Sequence, residues 1–201
     1  MPESVLIIPH EDPTLAGQTQ ALPSDLTRTQ WGRLKPLLPD TKPGGRTREG
    51  DLREILNGIF SICCGGCGWR MMPKNLPPWS TCYDYFRKWR NAGVWSKDND
   101  TLRTQVRHQD GRKKSPSRGI IDSQSVKATE QGGPRGKDAH KKVGGRKRHL
   151  VVDTPGMVVS AVVHSAGIQD RDKNYEGPEE SSESWIDVAM THLMLRRLET
   201  T

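Results

Sequence analysis

The feature that most constrains this chain is a change of hydrophobic period partway along it. In "DLREILNGIFSI", Leu52, Ile55, Leu56 and Ile59 recur at i, i+3, i+4 and i+7, the spacing of one face of an amphipathic helix. From Arg118 three strand-like runs follow: "RGIIDSQSV", "RKRHLVVDT" and "GMVVSAVVHSA". The last two are joined by "TPG" at Thr154 to Gly156, a tight-turn signal. Helical segments followed by strands define an α+β chain.

The helical part divides further. "LTRTQWGRLKPLLP" places Thr27 three residues before Gln30, the spacing of a capping box, and Trp31, Leu34 and Leu38 on one face. Pro36 predicts that this helix is short. After the turn-rich "TKPGGRTREG" and the helix around Leu56, "CCGGCG" stops the chain and "PKNLPP" forbids another helix until Ser80. Ser80 is a suitable N-cap for "TCYDYFRKWRNAG", and Gly93 suits its far end. Cys82, Tyr85, Phe86 and Trp89 form one stripe, with Arg87, Lys88 and Arg90 elsewhere. The stripe is either ordinary core with solvated charges or part of a helix-turn-helix that offers those bases to DNA phosphates. The charged stretch from Ser96 to Arg118 reads as a linker or frayed helix. A last helix, "SSESWIDVAMTHLMLRRLE", is expected to begin with Ser184 three residues before Asp187, and Arg196 and Arg197 suit its C-terminal dipole. The expected organisation is a flexible leader over 1–24, a basic helical region over 25–96, a linker over 97–117, a strand-rich region over 118–172 and a C-terminal helical segment over 173–201.

Composition narrows the function classes. With 201 residues, 32% of them hydrophobic, and a net charge of +7, the chain has a thin core and a bias toward polyanionic partners. No apolar run reaches membrane-spanning length, and "VLIIP" is too short for a secretory signal, so the expected compartment is the cytoplasm. Cys63, Cys64, Cys67 and Cys82 read as reduced, partly buried thiols rather than a zinc site, since Cys64 and Cys67 have the C-x-x-C spacing but no second pair follows. "GGPRGKDAH" is not a phosphate-binding loop, because Gln131 stands where that loop needs glycine and Asp138 where it needs Ser or Thr.

Asp122 ends a short apolar run, and Arg135, Lys137, Lys141, Lys142, Arg146, Lys147 and Arg148 follow it among glycines. Such a run is either a solvated face or a surface where the backbone comes close to phosphates; its place beside Asp122 favours a DNA-backbone contact. A single strand-end carboxylate is usually structural, but phosphodiester chemistry commonly uses Mg²⁺ ions held by several such groups.

"DLREILNGIFSICCGGCGWRMMPKNLPPWSTCYDYFRKWRNAGVW" resembles the N-terminal helical region of insertion sequence 5 family transposases, DDE enzymes related to the insertion sequence 4 group. "IIDSQSVKATEQGGPRGKDAHKKVGGRKRHLVVDTPG" resembles the start of their DDE catalytic domain. The resemblance implies a helix-turn-helix-like region, then a ribonuclease-H-like α/β domain that cuts and joins double-stranded DNA at transposon terminal inverted repeats in bacteria, at the nucleoid. It also implies Asp122 as the first of three acids that hold Mg²⁺, with Lys127 and the basic loop holding DNA beside it. After "VVHSAGIQDRD" the motifs of the second aspartate and the glutamate are missing, and "KNYEGPEESSESWIDVAMTHLMLRRLE" resembles the family's C-terminal end. The chain therefore reads as internally deleted near Asp172 and Lys173, with a truncated catalytic domain and an incomplete acid set. Asp153, Asp170 and Asp172 are nearby carboxylates with no spacing that makes them replacements. The alternatives are a non-catalytic DNA-binding regulator or an unstable pseudogene product. Sheet edges left open by the deletion invite self-association.

Overall fold

The computed structural model of the chain describes residues 21–40, 50–127, 136–138, 143–165 and 180–199. Its first helix, α1 (Arg28–Leu34), begins with both halves of the capping box: Gln30 N–H donates to Thr27 Oγ1 at 3.1 Å, and Thr27 N–H donates to Gln30 Oε1 at 3.1 Å. Beyond Leu34 the chain tightens into a 3₁₀ turn, Lys35–Leu37, which holds Pro36 near its start. α2 (Leu52–Gly65) is capped by Asp51, whose Oδ1 accepts from Arg53 N–H at 2.9 Å, and ends at Gly66 in the left-handed region, φ 61°. Its buried face is Ile55, Leu56, Ile59, Phe60 and Ile62. Gly58 lies where α2 meets α3, and a Cβ there would fall 2.7 Å from Cys82 Sγ. The two helices are thus as close as the missing side chain allows.

α3 (Trp79–Asn91) begins one residue before the expected cap. Pro78 occupies the N-cap position at φ −50°, so the helix starts at Trp79 and Ser80 lies inside its first turn. Cys82, Phe86 and Trp89 are buried and Tyr85 is partly buried, as the stripe requires. Gly93, at φ 65°, reverses the chain into α4 (Val94–Gln109).

Residues 97–109 form most of α4, which corrects the expectation of a linker or frayed helix. Val94, Trp95, Leu102 and Val106 are all buried. The polar Asp98 and Asn99, themselves buried, interrupt that apolar stripe and hide its period. α5 (Glu180–Arg197) also starts earlier than Ser184. Ser184 is buried within it, and Asp187 is a tertiary partner rather than a capping-box residue, accepting from Asn99 Nδ2 at 2.8 Å. α5 packs on all four preceding helices and on the sheet. Trp185 stacks on Phe86 with ring centroids 4.5 Å apart. Among the described residues, no helix is long and apolar enough to cross a membrane.

The three expected strand runs are β1 (Gly119–Lys127), β3 (Val143–Asp153) and β4 (Val158–Ser165); β2 (Gly136–Asp138) is a further short strand. β3 pairs antiparallel with β1 along its length, from Gly119 opposite Asp153 to Lys127 opposite Gly145. β4 pairs with its other side, and β2 with its first three residues. The Thr154–Gly156 turn closes with Gly156 at φ 84°. The outer edge of β4 is blocked by side chains: Arg103 Nη1 donates to the Val158 carbonyl at 3.0 Å, and Glu183 Oε1 accepts from Val163 N–H at 2.9 Å.

A buried ion pair fastens helices to sheet. Arg107 Nη1 donates to Asp153 Oδ2 at 2.6 Å, and Asp153 Oδ1 accepts from Met157 N–H at 2.8 Å. Arg107 Nε also donates to the Lys113 carbonyl at 2.8 Å. Removing one partner leaves the other charge buried, so Arg107→Leu is expected to cost about 3–5 kcal/mol. Urea unfolding of the two proteins checks this.

Asp98 differs from Asp153: it is buried, and among the described residues neither carboxylate oxygen has a hydrogen-bond partner. Burial pushes its pKa up to about 7, against a small opposing effect of Lys97. The folded chain therefore holds a proton that the unfolded chain releases near pH 4, and stability falls as pH rises from about 4 to about 7. Asp98→Asn is expected to raise the melting temperature at pH 8, by an amount corresponding to a few kcal/mol on the order given by linkage, and to change it little at pH 4. Thermal melts of both proteins at the two pH values measure this.

Candidate functional site

Asp122 lies on β1, directly opposite Leu150 of β3, with an exposed side chain. Because side chains alternate along a strand, the antiparallel register puts Ile120, Asp122 and Gln124 on one face with Val152, Leu150, Arg148 and Arg146. Arg148 faces Gln124 across the ladder and is the diagonal neighbour of Asp122. Arg146, Lys147 and Arg148 are therefore strand residues and not part of a loop. Lys147 falls on the opposite face with 9% exposure. That face also carries His149 and His164, stacked with centroids 4.9 Å apart.

The remaining basic candidates are placed to different degrees. Lys127 stands opposite Gly145, and Lys137 opposite Gly144, so the backbone brings both to the end of the sheet where Arg146 begins. Arg135, Lys141 and Lys142 lie outside the described residues. On α3, Arg87 is exposed and pairs with Asp84 at 3.4 Å, while Lys88 is exposed with its Nζ 5.6 Å from the Tyr85 ring centroid. Arg90 is partly buried and its Nε donates to Asn91 Oδ1 at 3.1 Å.

Among the described residues, Asp153 does not join Asp122. Asp153 is fully buried, stands opposite Gly119 on the other face, and is held by Arg107. Asp170 and Asp172 lie outside the described residues. Among the described side chains, the face around Asp122 offers one carboxylate and two guanidinium groups. That donor set does not fit a pair of Mg²⁺ ions, which need several oxygen ligands and are repelled by adjacent cations. Among the described residues, no group of three His, Cys, Asp or Glu side chains is arranged to hold a metal ion. All four cysteines are free thiols, and burial pushes those of Cys63 and Cys82 up to about 11.

Three features had no signal in the sequence: the Arg107–Asp153 pair, the blocking of β4 by Arg103 and Glu183, and a contact between Cys64 and His192. Each joins residues far apart in the chain, and no local spacing encodes such pairs.

The described elements are thus a helical region followed by an antiparallel sheet that carries the exposed Asp122 on one face with Arg146 and Arg148. Residues 26–98 match the family model described as "Putative transposase of IS4/5 family", and residues 113–173 match the model described as "Transposase DDE domain". The chain is 33% identical over 108 residues to the insertion element IS402 uncharacterized 16.2 kDa protein of Burkholderia cepacia, an alignment covering 51% of this chain and 72% of that protein. No solved structure matches the chain. The chain belongs to the IS4/5 family of transposases.

Proposed function

We propose that this chain binds double-stranded DNA at transposon terminal inverted repeats and no longer performs the strand cleavage and transfer of a DDE transposase. The observation that carries the proposal is the sharing of one sheet face by Asp122, Arg148 and Arg146. The two arginines contact phosphates, and Lys127, Arg135, Lys137, Lys141 and Lys142 extend that contact. Arg87, Lys88 and Arg90 provide a second contact from the helix-turn-helix-like region. β1, β3 and β4 correspond to the opening strands of a ribonuclease-H-like sheet. Asp122 is the first acid of the ancestral metal site, and the other two were lost with the deleted segment. The engagement of Asp153 by Arg107 supports loss of catalysis, since it removes the most obvious substitute. The site of action is the bacterial nucleoid in the cytoplasm.

Binding without chemistry makes the chain a regulator that competes with intact transposase for its ends. The continuous core that joins all five described helices favours this over an unstable pseudogene product. Labelled transposon-end DNA, incubated with Mg²⁺ or Mn²⁺, provides the test. Binding is expected to be saturable, salt-sensitive and equal in the chain and in Asp122→Ala, with no cleavage by either. Divalent-dependent cutting that disappears in Asp122→Ala would show that another carboxylate completes the site. Replacing Arg146 and Arg148 together with Gln is expected to lower the slope of log affinity against log salt by about 2, roughly one per lost phosphate contact.

We further propose that the chain self-associates through β1. Among the described residues nothing pairs with the outer edge of this strand, and Ile120 and Ile121 are 57% and 74% exposed on its two faces. An open apolar edge is a template for another strand. Ile121→Lys is expected to shift the chain toward monomer in sedimentation at micromolar concentration, and an unchanged distribution would remove β1 as the interface.

A further inference from the structure

Away from the sheet, the end of α2 and the last turns of α5 border an open surface cavity of about 390 Å³ lined by Cys63, Cys64, Ala189, His192, Leu193 and Arg196. Cys64 is exposed, and its Sγ lies 3.6 Å from His192 Nδ1. The His192 ring is held in place by stacking on Phe60, with centroids 4.9 Å apart, and by a hydrogen bond to the backbone of Ser24. An exposed thiol, an imidazole in contact with it and a third group that orients the imidazole make up an activated-nucleophile arrangement. The other thiols are placed differently. Cys82 is buried in the core beneath Gly58, and Cys63 is half-buried on the cavity wall. Cys67 is half-buried and does not line the cavity.

Electrostatics give each partner a role. Burial raises the Cys64 pKa, and the Arg196 guanidinium acts in the opposite direction, so the resting group is a thiol that needs a base to react. Burial, and then the charge of Arg196, lower the His192 pKa against the hydrogen bond to Ser24, so the ring rests neutral and offers a weak base whose role depends on its contact with Cys64. Ala189 and Leu193 make part of the cavity apolar, and Arg196 supplies a cation for a carboxylate.

We propose that Cys64 is a thiol-exchange site for low-molecular-weight disulfides that carry carboxylates, with His192 as the proton acceptor. As Cys64 sulfur attacks one sulfur of the disulfide, its proton passes to His192 Nδ1. The disulfide's S–S bond breaks and a mixed disulfide forms on Cys64. The departing thiolate then takes the proton from His192. One disulfide is consumed and one is made, so the small disulfide is the only oxidant required. The adduct occupies the cavity between α2 and α5.

Incubation of the full chain with oxidised glutathione, followed by peptide mapping in a mass spectrometer, tests this. The first adduct is expected on Cys64, forming about tenfold or more faster than any on Cys67. His192→Gln is expected to slow the Cys64 adduct by about tenfold or more, within the range that a positioned base contributes, while the thermal melt stays unchanged. Arg196→Gln alters an exposed side chain, and so tests the same site where His192→Gln does not fold. It is expected to slow the adduct severalfold. A first adduct on Cys63 or Cys67 overturns the proposal, and so do equal Cys64 rates in the unaltered chain and a folded variant.

Discussion

The Arg107–Asp153 pair is the constraint on which the rest of the structure depends. Each group is almost fully buried, a position that costs several kcal/mol unless every polar atom is satisfied. The surroundings meet that condition. Asp153 binds Arg107 through one oxygen and the Met157 amide through the other, while Arg107 also donates to the chain leading into β1. One ion pair therefore sets three things together: the end of α4, the connection to β1 and the tight turn between β3 and β4. Weaker surface contacts secure the same corner, with Arg112 donating to Thr154 at 2.9 Å and Arg197 to the Pro155 carbonyl at 3.4 Å.

α5 completes what the ion pair begins. It carries Val188, Met194 and Leu195, and just past its end Leu198, into the core formed by the first four helices. At its end, Glu199 accepts hydrogen bonds from Thr27 and Gln30, the two residues of the α1 capping box. Near its start, Glu183 blocks the outer edge of β4. Among the described residues the sheet is thus asymmetric, with side chains closing the edge of β4 and no strand paired to the outer edge of β1. Asp122 and its arginines lie on the β1–β3 pair, on the side of the sheet away from the contacts that Arg103 and Glu183 make with β4.

Much of the fold was legible because it rests on local rules. The capping box at Thr27, the period of α2, the buried stripe of α3 and the turn at Gly156 each follow from residues within a few positions of one another. What escaped depends on distant partners. α4 was hidden because Asp98 and Asn99 occupy buried positions that its period should fill with apolar groups. The start of α5 was misplaced because Asp187 serves Asn99 and not its own helix. The site was legible only in part: Asp122 stood out at the end of its apolar run, but which bases share its face depends on the β1–β3 register. A shift of one residue would have exchanged Lys147 for Arg148.

The same two side-chain types serve opposite ends in this chain, and the dielectric around them decides which. Asp153 and Arg107 meet where water is excluded, so their attraction is strong and neither can leave without stranding the other. Asp122 and Arg148 sit on a face where Asp122 is exposed, and water weakens any pairing between them. Among the described residues Asp122 is therefore in contact with solvent, as Asp153 is not. Recruiting Asp153 as a replacement metal ligand would require breaking the contact that fastens the sheet to the helices, at a cost of about 3–5 kcal/mol.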